Sequence, residues 1–129
     1  MTLQPFVRVD GVAFSASRDE VLRERGTPRR EARNEVGLNE LDYDHVVYRF
    51  QDSGRLEEVT TQAPVLHLGS VAVPFERLDA LVRAQDPSAF ECAGFLVSPQ
   101  FGLAFDAREP CWVTALAAHC LPEWEALRC

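Results

Sequence analysis

The chain has 129 residues, 47% of them hydrophobic, which sets it as one globular domain (residues 1–129) able to bury roughly two-thirds of its unfolded surface without a disulfide or a metal. Its net charge is -7, from 20 acidic residues against 13 basic ones, every one an arginine. That balance argues against sequence-independent nucleic-acid binding, which calls for a basic surface, and suits solubility or a basic protein partner reached by electrostatic steering.

The N-terminal stretch "MTLQPFVRVDGVAFSAS" has no basic segment followed by a long apolar one. No apolar run approaches the roughly 20 residues of a membrane helix. The expectation is a soluble cytoplasmic protein, and the missing lysine fits codon bias in a high-GC bacterial genome. Cys92, Cys111, Cys120 and Cys129 include no C-x-x-C pair, so the usual zinc signature is missing and free, mostly buried thiols are expected.

In chain order, residues 5–15 alternate loosely around a glycine and predict a strand or extended arm. "SASRDEVLRERGTP" predicts a helix. Ser15 or Ser17 can cap it, Asp19 and Glu20 complement its dipole, Gly26 closes it and Pro28 bars its resumption. The charged "RREARNEVGLN" reads as a loop. Strands are then expected at Glu40–Tyr43, His45–Gln51 and, after a "DSG" turn, Leu56–Gln62. In the second of these, Val46, Tyr48 and Phe50 share one face, and Val47 and Arg49 the other.

"VLHLGSVAVP" is β-rich with a glycine interruption. In "PFERLDALVRAQDP", Phe75, Leu78, Leu81 and Val82 recur at helical spacing between two prolines. Strands are expected at Phe90–Val97, Phe101–Asp106 and Cys111–Ala117, followed by a short helix, "LPEWEALRC", that packs Trp124 and Leu127 against the body. The order is strand, helix, three strands, then the same again, with half-repeats at 5–62 and 65–120. Helices separated by runs of short strands predict an α+β fold with mainly antiparallel sheet.

Signatures for dinucleotide, P-loop, zinc-protease and nucleophile-elbow chemistry are absent. His45, His67 and His119 each stand apart. His67 reads as a satisfied sheet histidine. His119 and Cys120 do not read as a thiol dyad, because adjacent strand residues point to opposite faces. The alternation in "LNELDYDHVVYRF" draws more attention: Glu40, Asp42 and Asp44 fall on every second residue, with His45 next. This ladder is a solvated strand face, a docking face for a basic partner, or a site of metal or acid–base chemistry. Glu57, Glu58 and, from the loop, Glu35 join the same acidic neighbourhood. Tyr43 reads first as core and second as an aromatic contributor to an interface. The arginines 18, 23, 25, 29, 30 and 33 are interleaved with acids and read as a salt-bridged surface.

"VAFSASRDEVLRERGTP" followed by "LDYDHVVYRFQDSGRLEEV" resembles the immunity proteins that neutralise polymorphic or type VI secreted toxins. The likeness rests on Phe14, Arg18, Val21, Leu22, Gly26, Pro28, Tyr43, Tyr48, Phe50, Gly54, Leu56 and Val59. It implies a non-enzymatic cytoplasmic inhibitor that binds a toxin domain and blocks it, with Glu35, Glu40, Asp42, Tyr43, Asp44, Glu57 and Glu58 as the contact set. No cofactor, metal, nucleic acid or membrane enters this reading, and a homodimer is compatible with it. Its rivals are a secretion adaptor or chaperone for an effector and a small enzyme using the carboxylates with His45.

Overall fold

A computed structural model describes residues 1–127. It begins with three short strands, β1 (Thr2–Gln4), β2 (Arg8–Val9) and β3 (Val12–Ala13). Helix α1 (Arg18–Arg25) follows, started by a capping box: Ser17 accepts from the Glu20 amide and the Glu20 carboxylate accepts from the Ser17 amide. Gly26 ends it at a positive φ of 82°. A meander then runs through β4 (Arg30–Arg33), β5 (Asn39–Asp42), β6 (Val46–Phe50) and β7 (Leu56–Gln62).

The second half opens with a hairpin, β8 (Val65–Leu68) and β9 (Val71–Pro74), and continues through α2 (Phe75–Gln85). A second meander comprises β10 (Phe90–Cys92), β11 (Phe95–Ser98), β12 (Leu103–Phe105) and β13 (Trp112–Leu116). A 3-10 turn at Ala118–Cys120 leads into α3 (Leu121–Ala126).

The fold is α+β with mainly antiparallel sheet. Each half contributes a helix and a four-stranded meander. Pairing of β7 with β13 joins the two meanders into one eight-stranded sheet, ordered β10-β11-β12-β13-β7-β6-β5-β4. The smaller sheet is ordered β3-β2-β1-β8-β9, with β1 and β8 parallel and the other pairs antiparallel. One face of the large sheet, carrying Leu41, Tyr48, Phe50, Val59, Phe105 and Val113, packs against Val21 of α1, Leu78 and Val82 of α2, and Leu3 and Leu66 of the small sheet. A second, smaller cluster lies on the opposite face, where Leu121 and Trp124 of α3 cover Phe90, Cys92, Val97, Ala104 and Leu116.

Three expectations are corrected. Arg30–Arg33 is a strand rather than a loop. It lies at the edge of the sheet, where it pairs on one side only and a charged sequence is the normal guard against further pairing. Phe90–Val97 is not one strand but a hairpin, turned by Ala93 and Gly94, both at positive φ. At the C-terminus Trp124 meets Phe95 edge-on, with ring centroids 5.9 Å apart. Leu127, by contrast, is 65% exposed and contributes its carbonyl, which accepts from the Cys92 thiol. Residues 128 and 129 of the expected helical end, Cys129 included, lie outside the described residues.

Asp86 locks the end of α2 onto the second meander. Its buried carboxylate accepts from the Ser88 amide and hydroxyl (2.9 and 2.5 Å), the Ser98 hydroxyl (2.6 Å) and the Gln100 amide (3.0 Å). Burial alone would raise the carboxyl pKa, but these hydrogen bonds outweigh it and hold the pKa below its ordinary value. A depressed carboxylate contributes stability above its unfolded pKa, near 3.9, and that contribution is lost as pH falls through the folded value. Asp86→Ala is therefore expected to cost on the order of 3 kcal/mol at pH 7. Urea unfolding at a series of pH values checks this, and the gap to wild type should narrow below about pH 4.

Candidate functional site

The face of the large sheet turned away from α1 and α2 is covered by α3 over the second meander, while the first meander leaves it open. The β-ladder dictates what lies there. Glu40, Arg49 and Glu58 stand in register across β5, β6 and β7. Asp42, Val47, Thr60 and Thr114 form the next row, reaching into β13. The alternation in β6 thus puts Val47 and Arg49 on this open face and Tyr48 and Phe50 in the core, as the sequence pattern predicts.

The row is joined by hydrogen bonds. Arg49 donates through Nε to Glu40 Oε2 (2.7 Å) and through Nη1 to Thr60 Oγ1 (2.5 Å), and Thr60 and Thr114 share a hydrogen bond of 2.8 Å. Glu40 and Arg49 are only 18% and 21% exposed in their side chains. An ion pair so shielded is held more firmly than a freely solvated one. Beside it lies a groove of about 370 Å³, floored by Arg49, Glu58, Thr60 and Thr114 and walled by Phe95, Trp112 and Trp124. Burial raises the Glu58 pKa. Arg49 opposes that shift, the neighbouring Glu57 adds to it, and a hydrogen bond from Trp124 works against it.

The acidic ladder does not form one cluster. Glu40 and Asp42 share the open face, but the chain leaves the strand before Asp44, which takes a positive φ of 78° and pairs with Arg29. Asp42 accepts from the Asp44 amide (2.8 Å), so part of the ladder is spent on its own turn. His45 is exposed in that turn, 3.8 Å from Asp44. Glu35 lies in the exposed β4–β5 turn, at the opposite end of β5. Tyr43 pins the next turn to α1, because its hydroxyl donates to the Gly26 carbonyl (2.8 Å) and its ring meets Tyr48 edge-on.

Glu57 departs furthest from the expected acidic face. A β-bulge pairs Arg49 with Glu58 but Phe50 with Leu56, leaving Glu57 as the extra residue. Its side chain, 3% exposed, turns toward the 3-10 turn beyond β13. There Oε1 meets His119 Nε2 at 2.7 Å, Oε2 accepts from the Cys120 thiol, and Arg55 Nε approaches to 3.5 Å. Reading His119 and Cys120 as strand neighbours with divergent side chains misses this. They occupy a helical turn, and both reach the same carboxylate. Burial, together with the Glu57 carboxylate, pushes the Cys120 pKa far up, so the thiol stays protonated.

His67, expected to be a satisfied sheet histidine, stands on the solvent side of β8. The arginine-rich segment is salt-bridged: Arg18 pairs with Glu31, Arg29 with Asp44, and Arg33 with Asp52. No helix among the described residues is long and apolar enough to cross a membrane.

Comparison with protein-family models, curated proteins and solved structures finds no match.

The raised Glu58 pKa carries a definite sign. A carboxyl whose folded pKa lies above its unfolded one favours the folded state at low pH and costs stability once pH rises past its ordinary value. Glu58→Gln, which keeps an acceptor for Trp124 and removes the charge, is expected to raise the unfolding midpoint at pH 7. The gain should disappear as pH falls below about 4.3. Thermal unfolding of both proteins across that range measures it.

Proposed function

We propose that the chain is an immunity-type inhibitor, a binding protein that docks a basic toxin domain on the open face of its large sheet. The observation that carries this reading is that α3 roofs one half of that face and stops at the other, leaving along the boundary a groove floored by Arg49, Glu58 and Thr60 and walled by Phe95, Trp112 and Trp124. Aromatic anchors beside a shielded arginine make up the composition in which binding energy concentrates at protein interfaces. The charge around the groove is acidic: Glu40, Asp42, Glu58 and Glu109 stand against Arg49, and Asp106 is paired with Arg108. With a whole-chain charge of -7, a basic partner is drawn in and oriented by the field.

The contact set is accordingly narrower than the acidic ladder. Glu40, Asp42 and Glu58 belong to the face, with Trp112 and Trp124 as its aromatic part. Glu35 and Asp44 lie at its two ends, and Glu57 lies beneath it. Tyr43 is needed to hold the turn. In this reading inhibition is by occlusion, the sheet covering the toxin's active cleft in the cytoplasm of the cell to be protected.

The test is a rescue. A protein captured by wild type but lost by the folded double variant Asp42→Arg/Trp112→Ala is produced alone in a bacterial cytoplasm. It should be toxic there, and wild type should restore growth while the double variant should not. Capture without rescue would instead mark a secretion adaptor. Capture unaffected by the substitutions would remove the open face from the reading.

A further inference from the structure

The cluster of Glu57, His119 and Cys120 has no part in the docking face. It holds three donors of different kinds, carboxylate oxygen, imidazole nitrogen and thiol sulfur, whose ligand atoms all lie within 4.8 Å of one another. A four-coordinate zinc ion, with bonds of about 2.0–2.3 Å, needs donors at the corners of a tetrahedron with edges of roughly 3.3–3.8 Å. Glu57 and His119, now 2.7 Å apart, would have to open by about 1 Å. We propose that these side chains form a three-ligand site for a divalent ion of the zinc class, with water in the fourth position.

The local chemistry suits a cation: the three donors already converge on one point. Glu57 is a buried carboxylate held by His119 Nε2 and the Cys120 thiol, with the half-exposed Arg55 at 3.5 Å. An ion placed among the three donors would take the place of these hydrogen bonds at bonding distance. The bulge in β7 gives up a ladder position to aim Glu57 at this point, and the 3-10 turn brings both of its partners to it.

A route to solvent exists on one side. The His119 side chain is 31% exposed and lines, with Arg55, a surface cavity of about 530 Å³. Glu57 and Cys120 line a second, smaller surface cavity with Glu123 and Trp124. Binding is a proton exchange. Cys120 releases its thiol proton to solvent as the metal–sulfur bond forms, and the imidazole binds through Nε2 with its ring proton on Nδ1, so affinity rises with pH. The donor set of one thiolate, one imidazole and one carboxylate suits zinc or cobalt and is poor for calcium or magnesium.

Cobalt(II) titration of the purified, untagged full chain tests the site, because a thiolate bound to cobalt gives a near-ultraviolet charge-transfer band and a hydrogen-bonded thiol does not. Wild type is expected to show the band saturating at one equivalent, and zinc should bleach it and raise the Tm. Cys120→Ser should lose the band while remaining folded by circular dichroism. His119→Ala, at a part-exposed position, should weaken cobalt binding more than the roughly 10–100-fold that loss of an outer partner costs, and should abolish the zinc-dependent rise in Tm. Absence of a band in wild type overturns the proposal. So does a band that survives Cys120→Ser, which would place the metal on one of the other cysteines.

Discussion

The pairing of β7 with β13 is the contact on which the rest of the molecule depends. A four-stranded meander with one helix on it leaves its last strand as an open edge, with a row of unpaired amides and carbonyls. Here each meander ends on such a strand, and the two edges satisfy one another across five residue pairs, from Trp112 opposite Gln62 to Leu116 opposite Glu58. The result is a continuous sheet with a single inside. Both helices must then pack on the same face, since that face alone carries Leu41, Tyr48, Phe50, Val59, Phe105 and Val113. The small sheet closes the layer through β1 and β8, one from each half.

A common inner face makes the outer face common too, and there the two halves part. The second meander carries Phe90, Val97, Ala104 and Leu116 outward, an apolar surface that must be covered. The chain continues from β13 directly into α3, which covers it. The first meander turns Glu40, Asp42, Arg49 and Thr60 outward in the matching rows and needs no cover. The contrast between roofed and open surface therefore follows from side-chain polarity along two topologically equivalent meanders. The groove walled by Trp112 and Trp124 marks the boundary between them.

Much of this is legible in the amino-acid sequence, and what is not has physical reasons. Helices α1 and α2 announce themselves through a cap, a stop and an apolar stripe, all local signals. Strand β6 does so through strict alternation. Strand β4 does not, because "REAR" has no β-forming residue and owes its conformation to four partners in β5. The hairpin of β10 and β11 hides behind a turn made of alanine and glycine, where alanine adopts a conformation it rarely chooses. The acidic ladder is real as a sequence pattern but not as a surface, since a strand that ends at Asp42 carries the alternation no further. The meeting of Glu57 with His119 and Cys120 is illegible for another reason. It joins residues more than sixty positions apart and depends on a bulge that no composition signal records.

That bulge also separates two chemistries that adjacent residues would otherwise share. In a regular strand Glu57 and Glu58 would point to opposite faces of the sheet, Glu58 outward and Glu57 among the core side chains. With the bulge, Glu58 stays in register with Arg49, where the cation opposes its desolvation and the row extends to Glu40. Glu57 is turned aside to the sheet's end, where two donors from beyond β13 meet it. Like-charged neighbours are thereby sent to different partners, one on the open face and one in an enclosed cluster. Glu57 still raises the cost of ionising Glu58. Any cation that neutralises Glu57 therefore relieves Glu58 as well, so the enclosed cluster and the open face are coupled through a single peptide unit.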